Sequence, residues 1–323
     1  MEVYVGTAGW NYPDWVGPFY PEKPERGFSQ LSFYSAFFDC VEVNATFYRH
    51  FPPRNGEKWL MEVFENPRFV FLIKLFKEFT HGSRRKDAAF VQNKKIVTEF
   101  LKPFVEQKKL GGLLVQFIEF YKPTDESKSY ISTILDEFHD YPLFFELRNK
   151  AWYTDSARDF LKKNEINIIA VDQPQLSGMM EFDTDILGKI GYVRLHGRNA
   201  EKWEDSRKGL RQGKPNDESE RNARYDYLYN SDELDEIEKK LLKKKEWCER
   251  VYVVPNNHPL GKAVANGLEL IKRLRNLQKV RIPDTVIKYF PELEKIAERV
   301  SLTPKVEPTK KGDPSPQGDL FVQ

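Results

Sequence analysis

Short apolar runs alternate along the chain with longer stretches of helical spacing. Runs of strand length stand at 3–8 (VYVGTA), 41–45 (VEVNA), 69–75 (FVFLIKL), 112–117 (GLLVQF), 143–148 (LFFELR), 166–172 (INIIAVD), 192–196 (YVRLH) and 251–256 (VYVVPN). Helices are expected in most of the gaps, at 29–38, 56–65, 88–104, 127–138, 156–163, 231–247 and 261–275. In 231–247, Leu234, Ile237, Leu241 and Leu242 share one stripe, and Asp232 and Glu233 occupy the first turn, where acids complement the helix dipole. Strand–helix alternation of this kind implies right-handed βαβ units and a parallel sheet. Eight strands of it predict an α/β fold, a (β/α)8 TIM-type barrel. The sixth unit is the exception, because 173–189 holds no amphipathic helix, and the barrel is expected to be irregular there.

The pattern also divides the chain. The barrel is expected over 1–282 and one further helix over 283–300, read from the helical spacing of Asp284–Val300. Residues 301–316 carry four prolines, three lysines and almost no large apolar side chains, the composition of a flexible linker. Residues 317–323 then regain Leu320, Phe321 and Val322. No repeat of solenoid period is present.

Composition narrows the class. With 40% hydrophobic and 31% charged residues the chain is globular, and 51 Lys and Arg against 49 Asp and Glu leave only +2, so contact with DNA or a membrane must be local. Cys40 and Cys248 are too few for a disulfide framework or a structural zinc site. Met1–Tyr4 run directly into a strand without a cationic start and apolar stretch, and no apolar run approaches the roughly 20 residues that span a bilayer. A cytoplasmic protein without membrane contact is expected.

The chemistry is carried by polar residues inside these strands. Parallel barrel strands are covered on both faces and should be almost wholly apolar. Here Glu42 and Asn44 interrupt the second strand, Lys74 the third, Gln116 the fourth, and Glu146 and Arg148 the fifth. Asp172 ends the sixth, Arg194 and His196 mark the seventh, and Asn256 and Asn257 follow the eighth. Period-two alternation sets Glu42 and Asn44 opposite Val41 and Val43, and Arg194 and His196 opposite Val193 and Leu195. The apolar set must face the helices, so the polar set faces the barrel axis. All of it lies toward the C-terminal strand ends, where barrels of this type build their active sites. A buried ion-pair network that only fixes strand register is the alternative, but desolvating so many charges costs several kcal/mol each unless a ligand compensates, which favours a ligand site. In the loops above, Trp10, Tyr12, Trp15, Phe47 and Tyr48 can stack on a base or sugar or simply pack the barrel mouth. Residues 198–224, with eight basic and six acidic side chains, suit an exposed flap or a solvated loop.

These same segments carry a family resemblance. GTAGWNYPDWVGPFYP at 6–21, VEVNATFY at 41–48, KLFKEFTH at 74–81, GGLLVQF at 111–117, FELRNKAW at 145–152, YVRLHGR at 192–198, YLYNSDEL at 227–234 and NNHPLGKA at 256–263 resemble the family called domain of unknown function 72. The resemblance covers about residues 3 to 275 and implies a TIM-type barrel, without supplying a reaction. That barrel is similar to those of the endonuclease IV and sugar isomerase group, in fold alone. The histidines available are His50, His81, His139, His196 and His258, and only His196 lies in the polar ring, with His81 and His258 near strand ends. A trinuclear zinc site is therefore not expected. A single divalent ion held by Glu42, Glu146 or Asp172 is an open option, and no ligand set is assigned.

Lys74, Arg148 and Arg194 suit an anion, most simply phosphate or carboxylate. Glu42, Glu146, Asp172 and His196 are the candidates to handle protons or a metal, with Asn44, Gln116, Asn256, Asn257, Trp10, Tyr12 and Tyr48 as further binding residues. Lys74 as an imine-forming nucleophile is a lesser option, since neighbouring carboxylates would keep it protonated. The tail adds a partner. Its QGDLF at 317–321 resembles the sliding-clamp-binding peptide Gln-x-x-Leu-Phe, and less closely the PCNA-interacting peptide. Gln317 would bond at a pocket rim while Leu320 and Phe321 insert as anchors. The expectation is an enzyme acting on a phosphate-bearing substrate, DNA or a nucleotide, and recruited to a sliding clamp. The alternatives are a non-catalytic anion-binding module and a sugar-phosphate or carbohydrate enzyme.

Overall fold

Every expected strand forms, and their order closes a cylinder. The computed structural model describes residues 1–212 and 217–301, so the expected linker (Ser301 apart) and the Gln317–Gln323 segment lie outside the described residues. The strands are β1 (Glu2–Ala8), β2 (Cys40–Val43), β3 (Val70–Lys74), β4 (Leu110–Gln116), β5 (Leu143–Glu146), β6 (Asn167–Ile168), β7 (Ala170–Asp172), β8 (Ile190–Leu195) and β9 (Arg250–Pro255). They pair in the order β6-β5-β4-β3-β2-β1-β9-β8-β7, every pair parallel. β6 and β7 are the two halves of the single run at 166–172. The first half pairs with β5 and the second with β8, and between them Ile169 N–H donates to the Phe145 carbonyl at 2.9 Å. The sixth strand bends across the seam and completes a barrel of the α/β TIM type. The irregularity expected there is real, and no helix forms between Gln173 and Lys189.

The helices start where capping chemistry starts them. Ser29, Asp87, Thr124 and Asn230 each accept a backbone N–H at the head of the helices Gln30–Ser35, Ala88–Glu106, Asp125–Glu137 and Ser231–Leu242. Asn230 forms a reciprocal capping box with Glu233. Two expectations are corrected. Residues 284–300 are not one helix: a helix runs only over Asp284–Tyr289, a 3-10 turn follows at Pro291–Ile296, and β11 (Ala297–Val300) pairs in parallel with β10 (Val280–Pro283). Pro291 has no N–H and pushes Phe290 out of helical geometry, to φ −129°. The described parts of 198–224, residues 198–212 and 217–224, do not form a solvated loop. They carry the helices Ala200–Arg211 and Glu218–Tyr225, and Trp203 of the first is almost fully buried and stacks toward His196.

Strand alternation sorts the core into two shells. Val41, Val43, Phe71, Ile73, Val115, Phe145, Val193 and Val253 pack outward under the helices. Tyr4, Cys40, Leu72, Leu114, Phe144, Tyr192 and Tyr252 fill the barrel interior. The interior filling occupies the lower cylinder, and one residue pair further along each strand it gives way to Glu42, Lys74, Gln116, Glu146 and Arg194. Among the described residues no helix is long and apolar enough to cross a membrane. Where β1 and β2 approach, an inward Cβ at Gly6 would overlap the Cys40 carbonyl. Since backbone cannot move aside as a side chain can, Gly6→Ala is expected to destabilise the fold by about 3 kcal/mol or more, read as a lowered urea midpoint with an unchanged m-value.

Candidate active site

Above the apolar plug, Arg194 stands almost fully buried between two carboxylates. Its Nη2 donates to Glu42 Oε1 at 2.7 Å, its Nε to Glu42 Oε2 at 2.8 Å, and its Nη1 to Glu146 Oε2. Glu42 and Glu146 have no exposed surface. The Tyr192 hydroxyl, one inward position below Arg194, donates to Glu42 Oε2 at 2.5 Å, and Gln116 Oε1 accepts from Arg194 Nη1 at 3.2 Å. Glu146 Oε1 accepts from Arg148 Nε at 2.5 Å. Burial opposes ionisation of Glu146, but the Arg148 and Arg194 guanidiniums hold its carboxyl well below the usual carboxylate range.

His196 sits behind this network. A guanidinium can only donate, so the contact of Arg148 Nη2 with His196 Nε2 at 3.0 Å makes Nε2 the acceptor. The other ring nitrogen, Nδ1, lies 3.0 Å from the Asn256 side-chain Nδ2. Burial first, and then the Arg194 charge, push the imidazole down to about 3. With both nitrogens in contact and no exposed surface, His196 is placed behind Arg148 and away from the open cleft.

A cleft of about 1090 Å³ opens above, lined by Asn44, Lys74, Gln116, Arg148, Arg194 and Asn256 from the strand ends. Its walls carry Tyr12, Phe47, Tyr48, Phe117, Phe120, Trp203 and Tyr225, with His81 and His258 at the sides. Tyr12 stacks on His258 at 4.4 Å between ring centroids, so that pair is already built as a flat surface. Asn44 Oδ1 is buried without a hydrogen-bond partner. Lys74 Nζ lies 4.3 Å from the Phe47 ring centroid and forms no ion pair among the described residues.

Four expected members stand elsewhere or apart. Asp172 shares the outward face with Ala170, and it accepts from the Arg198 guanidinium at 2.7–3.2 Å and from the Tyr229 hydroxyl at 2.7 Å. Asn257 is fully buried and donates to the Tyr227 carbonyl and to Asn266 Oδ1, tying a loop to a helix. Trp10 packs edge-on against Trp59, away from the cleft. Tyr48 reaches the mouth but is 62% exposed. The three acids offered for a metal therefore do not share a site, and among the described residues no three His, Cys, Asp or Glu side chains could hold an ion together. Sequence reasoning missed Tyr192, although its place two residues before Arg194 puts it on the same inward face, and it missed the Phe117–Phe120 wall, which follows β4 directly.

A model of the family described as "Protein of unknown function DUF72" matches residues 4–287. The chain belongs to the DUF72 family. Among its relatives, "UPF0759 protein YunF" of Bacillus subtilis is 29% identical over 282 residues, 84% of this chain and 94% of that one. "UPF0759 protein YecE" of Escherichia coli is 30% identical over 99 residues, 31% of each chain. A crystal structure of a DUF72 family protein from Thermotoga maritima has 27% identity and a TM-score of 0.71, covering 85% of this chain and 100% of the other. One from Enterococcus faecalis has 26% identity and the same score, covering 84% and 95%. The buried network described for this DUF72 chain predicts one behaviour. Arg194→Met leaves buried Glu42 without a countercharge and Glu146 with Arg148 alone, and is expected to lose about 3–5 kcal/mol, measured by denaturant unfolding at neutral pH. Recovery of that loss as pH falls and the freed carboxyls take up protons checks the cause.

Proposed function

We propose that this DUF72 barrel is an enzyme acting on a small phosphate-bearing substrate of nucleotide or strand-end size. The observation that carries the reading is Arg148. Two of its nitrogens are fixed by Glu146 and His196, while Nη1 has no partner among the described residues and the side chain lines the cleft. A guanidinium oriented from behind with a face left over is pre-organised for an oxyanion. Lys74 supplies a second amine nearby, and Asn44 and Gln116 offer polar contacts beside it. The stacked Tyr12–His258 pair and Phe47 provide flat surfaces for a base or sugar ring. A cleft of about 1090 Å³ accommodates a nucleotide-sized molecule. In this reading Glu42 and Glu146 hold Arg194 and Arg148 in place and do not carry protons to the substrate.

Removing one charge-assisted contact costs about 1.5–3 kcal/mol. Arg148→Ala is therefore expected to weaken inorganic phosphate or nucleoside monophosphate binding at least about tenfold in isothermal titration. Unchanged affinity, or no binding by the unaltered chain, overturns the reading. Binding without turnover of any phosphate ester screened would favour an anion-binding module. We propose separately that Gln317, Leu320 and Phe321 dock the tail on a sliding clamp, leaving the barrel tethered near DNA. Purified PCNA-type clamp is expected to retain the full chain and to release one ending at Pro316; equal retention of both rejects recruitment.

A further inference from the structure

The charges on the cleft floor leave one amine over. Glu42 and Glu146 are occupied by Arg194, Arg148 and the Tyr192 hydroxyl, so the carboxylates that should have held Lys74 protonated are engaged elsewhere. Lys74 is 8% exposed, lines the cleft, and among the described residues has no ion-pair partner. Its Nζ lies against the face of Phe47, and His81 packs edge-on against the same ring, with centroids 5.0 Å apart. His81 also lines the cleft, and its Nδ1 is 2.8 Å from Thr80 Oγ1, which leaves Nε2 as its open nitrogen.

We propose that Lys74 is a nucleophile that forms an imine with a carbonyl substrate carrying an anionic group, and that His81 moves the accompanying protons. The inference rests on the anion-binding reading and deepens it: Arg148 holds the anion while Lys74 makes the bond. The unprotonated Nζ adds to the carbonyl carbon. A C–N bond forms, the π pair moves to oxygen, oxygen gains a proton and nitrogen loses one. The carbinolamine then expels its hydroxyl with one proton as water while the nitrogen lone pair forms C=N. Amine and carbonyl become imine and water, with no change of oxidation state and no co-reactant.

Of the groups around Lys74, the Phe47 face favours the ammonium, while burial and the two guanidiniums favour a neutral amine. Burial acts first and the Arg194 charge next, with Arg148 adding to them, while Glu42 and Glu146 pull the other way; together they bring the lysine down to about 7. Partial burial, then the Lys74 and Arg148 charges, lower His81 to about 4, so it accepts protons at neutral pH. An ordinary lysine at pH 7 is almost wholly ammonium and cannot add to a carbonyl.

The test is reductive trapping on the full chain. Glyceraldehyde 3-phosphate, pyruvate and propionaldehyde are each supplied with sodium cyanoborohydride, and adducts are mapped by peptide mass spectrometry. Lys74 is expected to be labelled at least about tenfold faster than any other lysine by one of the two anionic carbonyls and not by propionaldehyde, and which one labels it identifies the anion. The rate is expected to rise through about pH 7, where a surface lysine would show its rise near pH 10. His81→Gln, checked for an unchanged melting temperature, is expected to slow labelling. Phosphate binding in titration with Lys74 labelled no faster than surface lysines overturns the imine and leaves the anion site standing. Fast labelling of Lys74 by propionaldehyde as well overturns the requirement for an anion.

Discussion

Arg194 is held by Glu42 from β2 and Glu146 from β5, and the upper half of the barrel is organised around that clasp. Three ionised groups at the centre of a closed sheet would each cost several kcal/mol if left alone. Together with the Tyr192 hydroxyl and Gln116 they satisfy one another almost completely. The arrangement draws its members from four strands, so it also fixes how those strands face the axis.

The clasp decides what the remaining groups are free to do. With Glu146 committed to two guanidiniums and His196 locked behind Arg148, acid–base chemistry is removed from the residues that look most suited to it by type. On the cleft floor what is left is cationic or neutral, the open edge of Arg148, the amine of Lys74 and the Asn44 amide oxygen, with two histidines held neutral by burial at the sides and the acids Asp14 and Glu119 on the walls. In the function proposed above, such a site would attract an oxyanion and offer a nucleophile, with carboxylates serving as the scaffold. The helices Ala200–Arg211 and Glu218–Tyr225 complete it by bringing Trp203 and Tyr225 over His196 and the cleft.

The errors of sequence reasoning are instructive because one rule explains several of them. Asp172 follows Ile168 and Ala170 on the outward face, and strict alternation along 166–172 would have excluded it from the axis; treating it as a strand-end acid overrode that periodicity. Asn257 fails likewise, one step out of phase with Asn256. Trp10 follows β1 directly, as a mouth residue would, yet the turn after Ala8 sends it to the helix layer beside Trp59. For Lys74 the sequence argument is chemical, that carboxylates nearby keep a lysine charged. The reason was sound, but which cation each carboxylate would choose was not readable from the chain.

Alternating runs, helical stripes and capping residues are local properties, set by the period of side-chain direction and by backbone hydrogen bonding. For that reason the order of strands, the barrel class, the irregular sixth unit and the polar inward positions were legible in the sequence alone. Partner choice is not local. That Glu42 pairs with a residue 152 positions away, that His196 is held neutral and that Lys74 finds no ion-pair partner among the described residues follow from distances and desolvation that exist only once the cylinder has closed. The break of the expected terminal helix into a short helix, a turn and β11 belongs to the same class, because a parallel pairing with β10 outbid a marginal local preference already weakened by Pro291.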